Sequence, residues 1–400
     1  MNICHVITRL IVGGAQENTV LSCRGLVDRG HHVTLLAGPE TGREGSLWRR
    51  AHEAECDVVE VGSLRRAISP LRDWRAYRQL RRHFERIRPD VVHTHSSKAG
   101  IIGRFAAAAA GVPVIVHTIH GMSFNRTQSA AVRETYRLLE RRAARDTSAF
   151  VTVADAMRDQ AAAAGVAPAD RFVTIRSGIE VDRFAPSAEL RAKVRGEWGV
   201  ANGEVVIGTI ARLFANKGYE EIIEAMPAAL AGEPLLRFVW VGDGPHRRRY
   251  EVRLDALGLR DRVLMLGLAS PCDIPAIVNG FDTILHASRW EGLPRAVVQG
   301  LLAEVPAVSF DNDGAPEIVI NGRTGVLVPY GCTKGLTEGL LKLAADAPMR
   351  RALGAAGREL CVRQFDWRTM VAELEALYLR LVARQTLPCA DEIAKAARVN

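Results

Sequence analysis

Two cationic side chains follow a buried strand in the second half of the chain. The segment GTIARLFANKG ends an apolar, β-branched run with Arg212, and Lys217 comes five residues later, where a helix is expected to begin. Cations beside a helix N-terminus neutralise the negative charge that grows on a departing diphosphate. A solvated surface pair is the alternative, but the adjacent strand end and glycine favour a binding site.

A carboxylate and a group of backbone N–H donors follow a later strand. In TILHASRWEGLPRAVVQG, Glu291 precedes Gly292, Leu293 and Pro294, and the proline is typical of the start of a helix. This loop can accept hydrogen bonds from sugar hydroxyls through the carboxylate and bind phosphate at the helix N-terminus. An ordinary helix-capping glutamate is the alternative.

Four histidines lie at the ends of two consecutive strands, His93 and His95 in HTHSSKAG and His117 and His120 in HTIHGMSF. Strand alternation puts the first two on one face, which would suit a metal ion. No carboxylate or cysteine at ligand spacing accompanies them, so we favour neutral, hydrogen-bonding imidazoles. His120 is then the residue best placed to contact a sugar hydroxyl.

The first loop of the chain, IVGGAQENTV, places Gly13 and Gly14 between a strand and a helix. Glycine there lets the backbone approach a ligand and directs a helix N-terminus toward it. A structural glycine in a tight turn is the alternative, because the full G-x-G-x-x-G dinucleotide fingerprint is missing.

The segment FDNDGAPEIV has the D-x-D spacing by which some nucleotide-sugar enzymes hold a divalent metal, at Asp311 and Asp313. Its position after a late strand and before glycine suits a turn and a helix cap better. We therefore predict no metal site there.

Short β-branched runs that alternate with amphipathic segments must position these residues. The pattern predicts βα units with parallel sheets covered by helices on both faces. The strand candidates are NICHVI, HVTLLA, DVVHTH, VPVIVHTI, AFVTVA and FVTIRS in the first half, then VVIGTIAR, LRFVWVG, RVLMLG, TILHAS, PAVSF and TGVLV. The pattern therefore predicts two doubly wound sheets of about six strands each. Ligands are expected at the carboxyl ends of these strands.

A polar, proline- and glycine-containing stretch near residues 180–203 predicts the break between the two sheets. We expect an N-terminal domain over 1–185, a C-terminal domain over 200–365, a terminal helix over 367–384 that packs back onto the first domain, and a tail over 386–400. The N-terminus shows no signal-peptide pattern and no run of about 18 apolar residues occurs, so a cytoplasmic protein is expected.

The chain has 400 residues, of which 48% are hydrophobic and 24% charged, as expected of a globular protein with two domains. Its seven scattered cysteines are odd in number and form no C-x-x-C pair, which argues against a disulfide framework and a zinc ribbon.

The net charge of +8 is confined to the first half, because residues 1–180 hold 26 Lys and Arg against 18 Asp and Glu. Nine arginines and three acids fall within residues 61–90, in an expected helix with apolar positions at Leu71, Trp74, Leu80 and Phe84. A solvated helix face and a surface that docks on anionic lipid or a polyanionic acceptor both remain open. No recognised motif favours nucleic acid.

Taken in order, GGAQ, HTHSSKAG, HTIHG, ARL with Lys217-Gly218, VGDGP, SRWEGLP and GAPE resemble the retaining GT-B glycosyltransferases of family 4 over nearly the whole chain. The resemblance implies two Rossmann-like, doubly wound parallel-sheet domains that face each other across a cleft. It implies a nucleotide-sugar donor, most simply UDP-linked, held mainly by the C-terminal domain. It also implies a glycan or lipid-linked acceptor, and neither metal nor cofactor.

The same resemblance assigns roles to single residues. Arg212 and Lys217 would bind the diphosphate, Glu291 the sugar hydroxyls, and His120 the donor sugar. The remaining donor-binding residues implied by the resemblance are Gly13, Gly14, Gly267, Leu268, Gly292, Leu293 and Pro294.

One position departs from the family pattern, which has a second glutamate where this chain has Gln299. An amide can still accept and donate hydrogen bonds, so we expect altered binding of the donor ribose and intact chemistry. No carboxylate is evidently placed as a nucleophile, so retention would require a same-face displacement.

Three other functions compete with transfer. A catalytically silent nucleotide-sugar-binding subunit would explain Gln299 and the basic surface, but Arg212, Lys217 and Glu291 argue against it. A nucleotide-sugar 2-epimerase has a similar architecture, and the EGLP loop favours transfer. An NAD-dependent dehydrogenase lacks its glycine fingerprint. We expect a role in cell-surface polysaccharide assembly, with a peripheral location at the inner face of the plasma membrane as the alternative to a cytoplasmic one.

Overall fold

The computed structural model describes residues 1–40, 45–125 and 128–386. The chain forms two compact units, here called unit 1 and unit 2. Unit 1 contains Met1–Gly178 and the chain from Trp367 on, and unit 2 contains Ile179–Asp366. Of the expected tail over 386–400, all but Thr386 lies outside the described residues, as does Cys389.

The strands alternate with helices along the whole chain. They are β1 Asn2–Ile7, β2 His32–Ala37, β3 Asp57–Glu60, β4 Val91–His95, β5 Val114–Ile119, β6 Ala149–Thr152, β7 Phe172–Thr174, β8 Val205–Ile210, β9 Leu236–Val241, β10 Val263–Gly267, β11 Thr283–His286, β12 Ala307–Asp311 and β13 Gly325–Pro329.

Most connections between strands are helical, as a parallel sheet requires. The α-helices are α1 Gly14–Asp28, α2 Trp48–His52, α3 Pro70–Ile87, α4 Ser97–Ala109, α5 Ala130–Ala144, α6 Asp155–Ala163, α7 Ala188–Glu197, α8 Tyr219–Gly232, α9 Arg247–Ala256, α10 Ile274–Asn279, α11 Arg295–Leu302, α12 Thr333–Ala345, α13 Ala347–Phe365 and α14 Trp367–Thr386. Short 3₁₀ turns occupy Ala169–Arg171, Val181–Phe184, Ala215–Lys217, Arg260–Arg262 and Ala315–Glu317.

Each unit has one parallel sheet in the described part of the chain. The order is β3-β2-β1-β4-β5-β6-β7 in unit 1 and β10-β9-β8-β11-β12-β13 in unit 2. Both sheets reverse their winding beside the first strand, between β1 and β4 and between β8 and β11. Such a switch point opens a crevice at the carboxyl ends of the strands, where ligands bind in doubly wound folds.

The predicted fold class, two doubly wound parallel sheets, is confirmed, and all twelve predicted strands occur. The sequence pattern missed β3, a four-residue edge strand whose side chains are exposed or half-buried. Its sequence DVVE has no period-two alternation, because Val58 and Val59 pack against two different core clusters, one on each face of the sheet.

The last helix completes the core of unit 1. Helix α14 packs against α1, and its buried side chains join those of β1, β2 and β4. These are Trp367, Met370, Val371, Leu374, Leu377, Tyr378 and Leu381. Each large apolar side chain removed from water contributes about 1.5–3 kcal/mol, so α14 is part of the core of this unit.

Helix α3 has two different faces. Leu80 and Phe84 are buried against the sheet side, as predicted, but Leu71 and Trp74 are 59% and 53% exposed on the opposite face. The four apolar positions named from the sequence therefore divide between a buried face and an exposed face. The exposed apolar pair lies among arginines of the same face, because positions three, four and seven residues apart align on a helix.

A buried ion pair joins α4 to α5. The Arg104 guanidinium lies 2.5 Å from the Glu140 carboxylate, with side-chain exposures of 0% and 6%. The other oxygen of Glu140 accepts a hydrogen bond from the Ser123 hydroxyl at 3.0 Å, which ties the loop after β5 to α5.

We expect Arg104→Met to lower the free energy of unfolding by about 3–5 kcal/mol, because it leaves the Glu140 carboxylate buried without its cation. Urea denaturation of the two proteins measures the difference. Arg142→Met is the matched control, since its exposed pair with Asp146 should be worth less than about 1 kcal/mol. Equal losses for the two variants would contradict the assignment.

Candidate donor site in unit 2 and histidine cluster in unit 1

The loop after β8 carries the two predicted cations. Arg212 is exposed, and its guanidinium carbon lies 4.9 Å from the centre of the Phe214 ring. A 3₁₀ turn then leads to Lys217, and Gly218 adopts a left-handed φ of 76° before α8 begins at Tyr219. The two cations therefore follow the carboxyl end of β8, as predicted, and the structure shows that this strand lies at the switch point of the unit 2 sheet.

Lys217 is paired with Glu291, the predicted carboxylate of the loop after β11. Lys217 Nζ lies 2.5 Å from Glu291 Oε1, and the side chains are 14% and 26% exposed. Sequence reasoning placed these residues at one site but did not anticipate the pair.

The carboxylate of Glu291 is held ionised. Burial alone would raise its pKa, but the charge of Lys217 and the nearby His286, whose Nε2 lies 3.7 Å from Oε1, lower the pKa to about 2. Such a carboxylate accepts hydrogen bonds at neutral pH and is a poor proton donor or base.

The two loops are held together by backbone contacts. A β-carbon on Gly218 would lie 1.8 Å from the carbonyl oxygen of Ala287, so only glycine fits there. The carbonyl of Asn216 accepts hydrogen bonds from the Arg289 N–H at 2.9 Å and from the Ser288 hydroxyl at 3.2 Å. These contacts position Lys217 and Glu291 side by side.

A third loop, after β12, fixes the backbone of Glu291. The Asp313 carboxylate accepts a hydrogen bond from the Glu291 N–H at 2.8 Å, and the Gly292 carbonyl accepts one from the Gly314 N–H at 3.1 Å. Asp313 lies in a turn with a φ of 49°, a conformation that aspartate tolerates well. Asp313 is thus a positioning residue, which the D-x-D spacing alone did not reveal.

The segment from Gly292 to Pro294 is buried and precedes helix α11. Pro294 occupies the position just before the first helical residue, Arg295. Within the described residues, the N–H groups of Gly292 and Leu293 have no hydrogen-bond acceptor. Gln299 lies half-buried in the second turn of the same helix.

The glycines of VGDGP hold the loop of Arg212 from the other side. A β-carbon on Gly242 would lie 2.2 Å from the Ala211 carbonyl oxygen, and one on Gly244 would lie 2.5 Å from that of Leu213. The sequence offered no role for these glycines. Their close backbone approach gives them a structural role beside the candidate site.

The predicted donor-binding residues Gly267 and Leu268 lie at the end of β10, at the same edge of the sheet. Gly267 adopts a φ of 74°, and its carbonyl accepts a hydrogen bond from the Gly242 N–H at 2.7 Å. Leu268 is 50% exposed. The end of β10 is thereby linked to the loop that supports Arg212.

In unit 1, the predicted glycines lie after β1. Gly13 has an extended φ of 174°, which any residue can adopt, and α1 begins at Gly14. Left-handed geometry is therefore not the reason for glycine at position 13. A β-carbon there would lie 2.7 Å from Oε1 of the Gln16 side chain.

The histidines of unit 1 form one buried cluster. His93 and His95 share a face, as predicted, with ring centres 4.3 Å apart. His5, on the neighbouring strand β1, was missed although it pairs with His93 in the sheet register. His5 Nδ1 and His95 Nε2 share a hydrogen bond of 2.9 Å, and His95 Nδ1 and His120 Nε2 share one of 3.1 Å.

Among the described residues, a possible metal-ligand set consists of His5, His93 and His95, whose ring nitrogens come within 4.8 Å of one another. Most of these nitrogens are already engaged. His93 Nε2 is hydrogen-bonded to Thr118 at 2.6 Å, and His93 Nδ1 to the Tyr378 hydroxyl. Burial also lowers the pKa values of the three imidazoles, so they are neutral hydrogen-bonding groups.

Residues 13–178 match the family described as "Glycosyl transferase 4-like domain", and residues 191–360 match the one described as "Glycosyl transferases group 1". The chain belongs to the group 1 glycosyltransferases. The predicted enzyme class is thereby confirmed, and the matched regions fall in unit 1 and unit 2 respectively.

Two relatives of this glycosyltransferase are named enzymes. It is 28% identical over 332 residues to the Escherichia coli UDP-Gal:alpha-D-GlcNAc-diphosphoundecaprenol alpha-1,3-galactosyltransferase, covering 81% of this chain and 84% of that protein. It is 29% identical over 287 residues to the Mycolicibacterium smegmatis GDP-mannose-dependent alpha-(1-6)-phosphatidylinositol monomannoside mannosyltransferase, covering 70% and 74%.

Solved structures share the fold of this glycosyltransferase. Anabaena HepE in complex with UDP and glucose matches with a TM-score of 0.82 at 21% identity, over 94% of this chain and 99% of that one. Sucrose-phosphate synthase from Thermosynechococcus elongatus also has a TM-score of 0.82, at 20% identity, over 96% and 99%. The predicted GT-B fold class is confirmed. No helix within the described residues has the length and apolar character needed to cross a bilayer.

The acid stability of the glycosyltransferase should depend on Glu291. Because its folded-state pKa of about 2 lies below the ordinary value of 4.5, the stabilisation is complete above about pH 4.5 and is lost as the pH falls toward 2. We expect the Tm of the wild type to fall more steeply between about pH 5 and pH 3 than that of Glu291→Gln. The free energy of unfolding that the wild type loses and the variant keeps should be at most about 3 kcal/mol.

Differential scanning calorimetry across this pH range measures the effect. Glu338→Gln is the control, because its carboxylate is 66% exposed in a pair of 3.6 Å with Lys334. Parallel pH profiles for wild type and Glu291→Gln would contradict a depressed pKa at Glu291.

Proposed function

We propose that the chain is a retaining, metal-independent transferase that moves a sugar from a UDP-sugar to a glycan or lipid-linked acceptor in cell-surface polysaccharide biosynthesis. The observation that carries the proposal is the pairing of Lys217 with Glu291 at the switch point of unit 2, in the loop that also holds Arg212. This arrangement combines cations for a diphosphate with an ionised acceptor for hydroxyl groups.

The names of the two relatives support the acceptor class. Both name acceptors that carry lipid, a diphosphoundecaprenol and a phosphatidylinositol glycoside. They differ in the donor, UDP-galactose in one and GDP-mannose in the other. We choose UDP, the nucleotide that the galactosyltransferase names, and the titration described below compares it directly with GDP.

The diphosphate is assigned to Arg212, Lys217 and the N–H groups of Gly292 and Leu293. In the structure Lys217 is paired with Glu291, so a bound donor would share the ammonium group between its phosphate and this carboxylate. An ammonium group has three donors, which makes this sharing possible. Lys217 would then link the phosphate and sugar parts of the donor site.

The sugar and nucleoside are assigned to other residues of the same proposal. Glu291, Pro294 and His120 contact the sugar, Gln299 the ribose, and Gly267 with Leu268 the base. Gly13 and Gly14 are assigned to the phosphate and the acceptor, as the family resemblance implies. The cations and the start of α11 take the place of a metal ion at the diphosphate.

The transfer itself breaks the bond between the anomeric carbon and the diphosphate oxygen and forms a bond from the acceptor oxygen on the same face. The acceptor proton moves to an oxygen of the leaving phosphate, and the nucleoside diphosphate departs with the bonding electron pair. Glu291 is a poor base because its pKa is about 2, so it stabilises and orients the sugar while the phosphate takes the proton.

Calorimetric titration with UDP, GDP, ADP and their common sugar conjugates in the presence of EDTA tests the donor site. We expect saturable binding of UDP and a UDP-sugar without metal. Arg212→Ala should weaken binding by about tenfold to hundredfold, because it removes a charge-assisted contact to phosphate.

Arg323→Ala is the matched control, an exposed arginine in the turn before β13 that should leave the affinity unchanged. Binding of none of the nucleotides would overturn the transferase proposal and favour a silent subunit. Preference for GDP would overturn only the choice of base. Once an acceptor supports turnover, the anomeric configuration of the product, read by proton NMR, tests retention.

The exposed face of α3 supports a location at an anionic membrane surface. Leu71, Trp74, Arg75, Arg78 and Arg82 share this face, opposite the buried Leu80 and Phe84. Aromatic and aliphatic groups among arginines are typical of helices that lie in the lipid headgroup region. An acceptor with a lipid anchor would be found at the same surface.

We expect the protein to bind vesicles containing phosphatidylglycerol at low salt, and Arg75→Glu/Arg82→Glu to weaken binding tenfold or more, because each arginine near the surface contributes about 1 kcal/mol. Vesicle co-sedimentation measures the affinity. The control is Arg351→Glu/Arg363→Glu on α13, which makes the same change in charge at exposed positions of another helix and should leave vesicle binding nearly unchanged. No binding, or equal losses in both variants, would remove this surface from the proposal.

A further inference from the structure

Three imidazoles of unit 1 form a continuous hydrogen-bonded chain from the core to the end of β5. His5 Nδ1 lies 2.9 Å from His95 Nε2, and His95 Nδ1 lies 3.1 Å from His120 Nε2. His5 and His95 are fully buried, whereas His120 is half-buried in the loop after the strand. The chain therefore joins an interior group to one near the surface of the unit.

Each of the two hydrogen bonds between these imidazoles contains one proton. Burial lowers the pKa of His5 to about 3 and that of His95 well below its ordinary value, so these imidazoles are neutral with one N–H each. If His5 donates from Nδ1, His95 must donate from its own Nδ1, and His120 then holds its proton on Nδ1. If the direction is reversed, the proton of each imidazole lies on Nε2.

The inner end of the chain decides between the two directions. Among the described residues, His5 Nε2 is buried and has no hydrogen-bond partner. In the reversed direction this atom would be a buried N–H without an acceptor. In the other direction it is an unprotonated nitrogen, and buried acceptors without partners are more common than buried N–H groups without partners.

We propose that His5 and His95 are positioning residues that hold His120 as the Nδ1–H tautomer, so that His120 offers a sugar hydroxyl a hydrogen-bond donor and not an acceptor. The identity of the ligand rests on the proposed function, but the tautomer does not. His93 belongs to the same cluster but is not part of this series of hydrogen-bonded imidazoles, because its ring nitrogens are hydrogen-bonded to Thr118 and Tyr378.

Long-range nitrogen–proton NMR on the protein labelled with ¹⁵N-histidine tests the proposal without any substrate, since it distinguishes protonated from unprotonated ring nitrogens. The expected result is a proton on Nδ1 of His5, His95 and His120. An Nε2–H tautomer at His120 overturns the proposal, whatever nucleotide the protein binds.

The variant His5→Leu removes the inner donor at similar volume. We expect His120 to populate both tautomers in this variant and kcat/KM for the sugar donor to fall about tenfold, as for a lost hydrogen bond, while the affinity for free UDP stays constant. His117→Asn is the control, because His117 is equally buried, bonds Thr94 through Nδ1 at 2.9 Å and lies outside the chain.

An unchanged His120 tautomer in His5→Leu would contradict a positioning role for His5. An equal effect of His117→Asn on the tautomer would assign it to general packing and would also overturn the proposal. If His5→Leu does not fold, the spectrum of the wild type still decides. Failure of UDP to bind would count against the proposed function alone.

Discussion

The donor site of unit 2 depends on the close approach of two backbone segments at Gly218 and Ala287. The carbonyl oxygen of Ala287 occupies the space of a side chain on residue 218, so the loops after β8 and β11 are in direct contact. Without this contact, Lys217 and Glu291 would lie on separate loops in water, where an exposed ion pair is worth little. The depressed pKa of the Glu291 carboxyl group and the fixed geometry of the pair follow from the meeting of the two loops.

The same constraint recurs around the loop of Arg212. Gly242 and Gly244 admit the carbonyls of Ala211 and Leu213, and the loop after β12 reaches the opposite side of the site through Asp313. Four loops from neighbouring strands thus support one another. Because parallel strands end at one edge of the sheet, loops far apart in sequence meet there, which gives a site rigidity without any single long element.

The sequence was sufficient for the regular elements and for the types of residues at the site. Strands with β-branched runs on both faces were found, because buried parallel strands have a strong signal, whereas the edge strand β3 has almost none. Arg212, Lys217 and Glu291 were chosen by charge and by position at strand ends. Their mutual arrangement could not be chosen in this way, because it depends on which loops touch.

Residues on α3 and β1 show the same limit. Leu71 and Trp74 were named with Leu80 and Phe84 as apolar positions of one helix, but the sequence does not tell which apolar residues a neighbouring element covers. His5 lies within an ordinary strand pattern, and only the pairing of β1 with β4 brings it to His93 and His95. In both cases the missing information was long-range contact.

Helix α14 makes the order of synthesis matter. Unit 2 is inserted within unit 1, because its residues, Ile179–Asp366, precede the helix whose side chains complete the core of unit 1. On the ribosome, all of unit 2 therefore emerges before unit 1 has its full hydrophobic interior. The hydrophobic core of unit 1 can therefore be completed only after the whole of unit 2 has been synthesised, and until then the face of α1 that packs against α14 is uncovered.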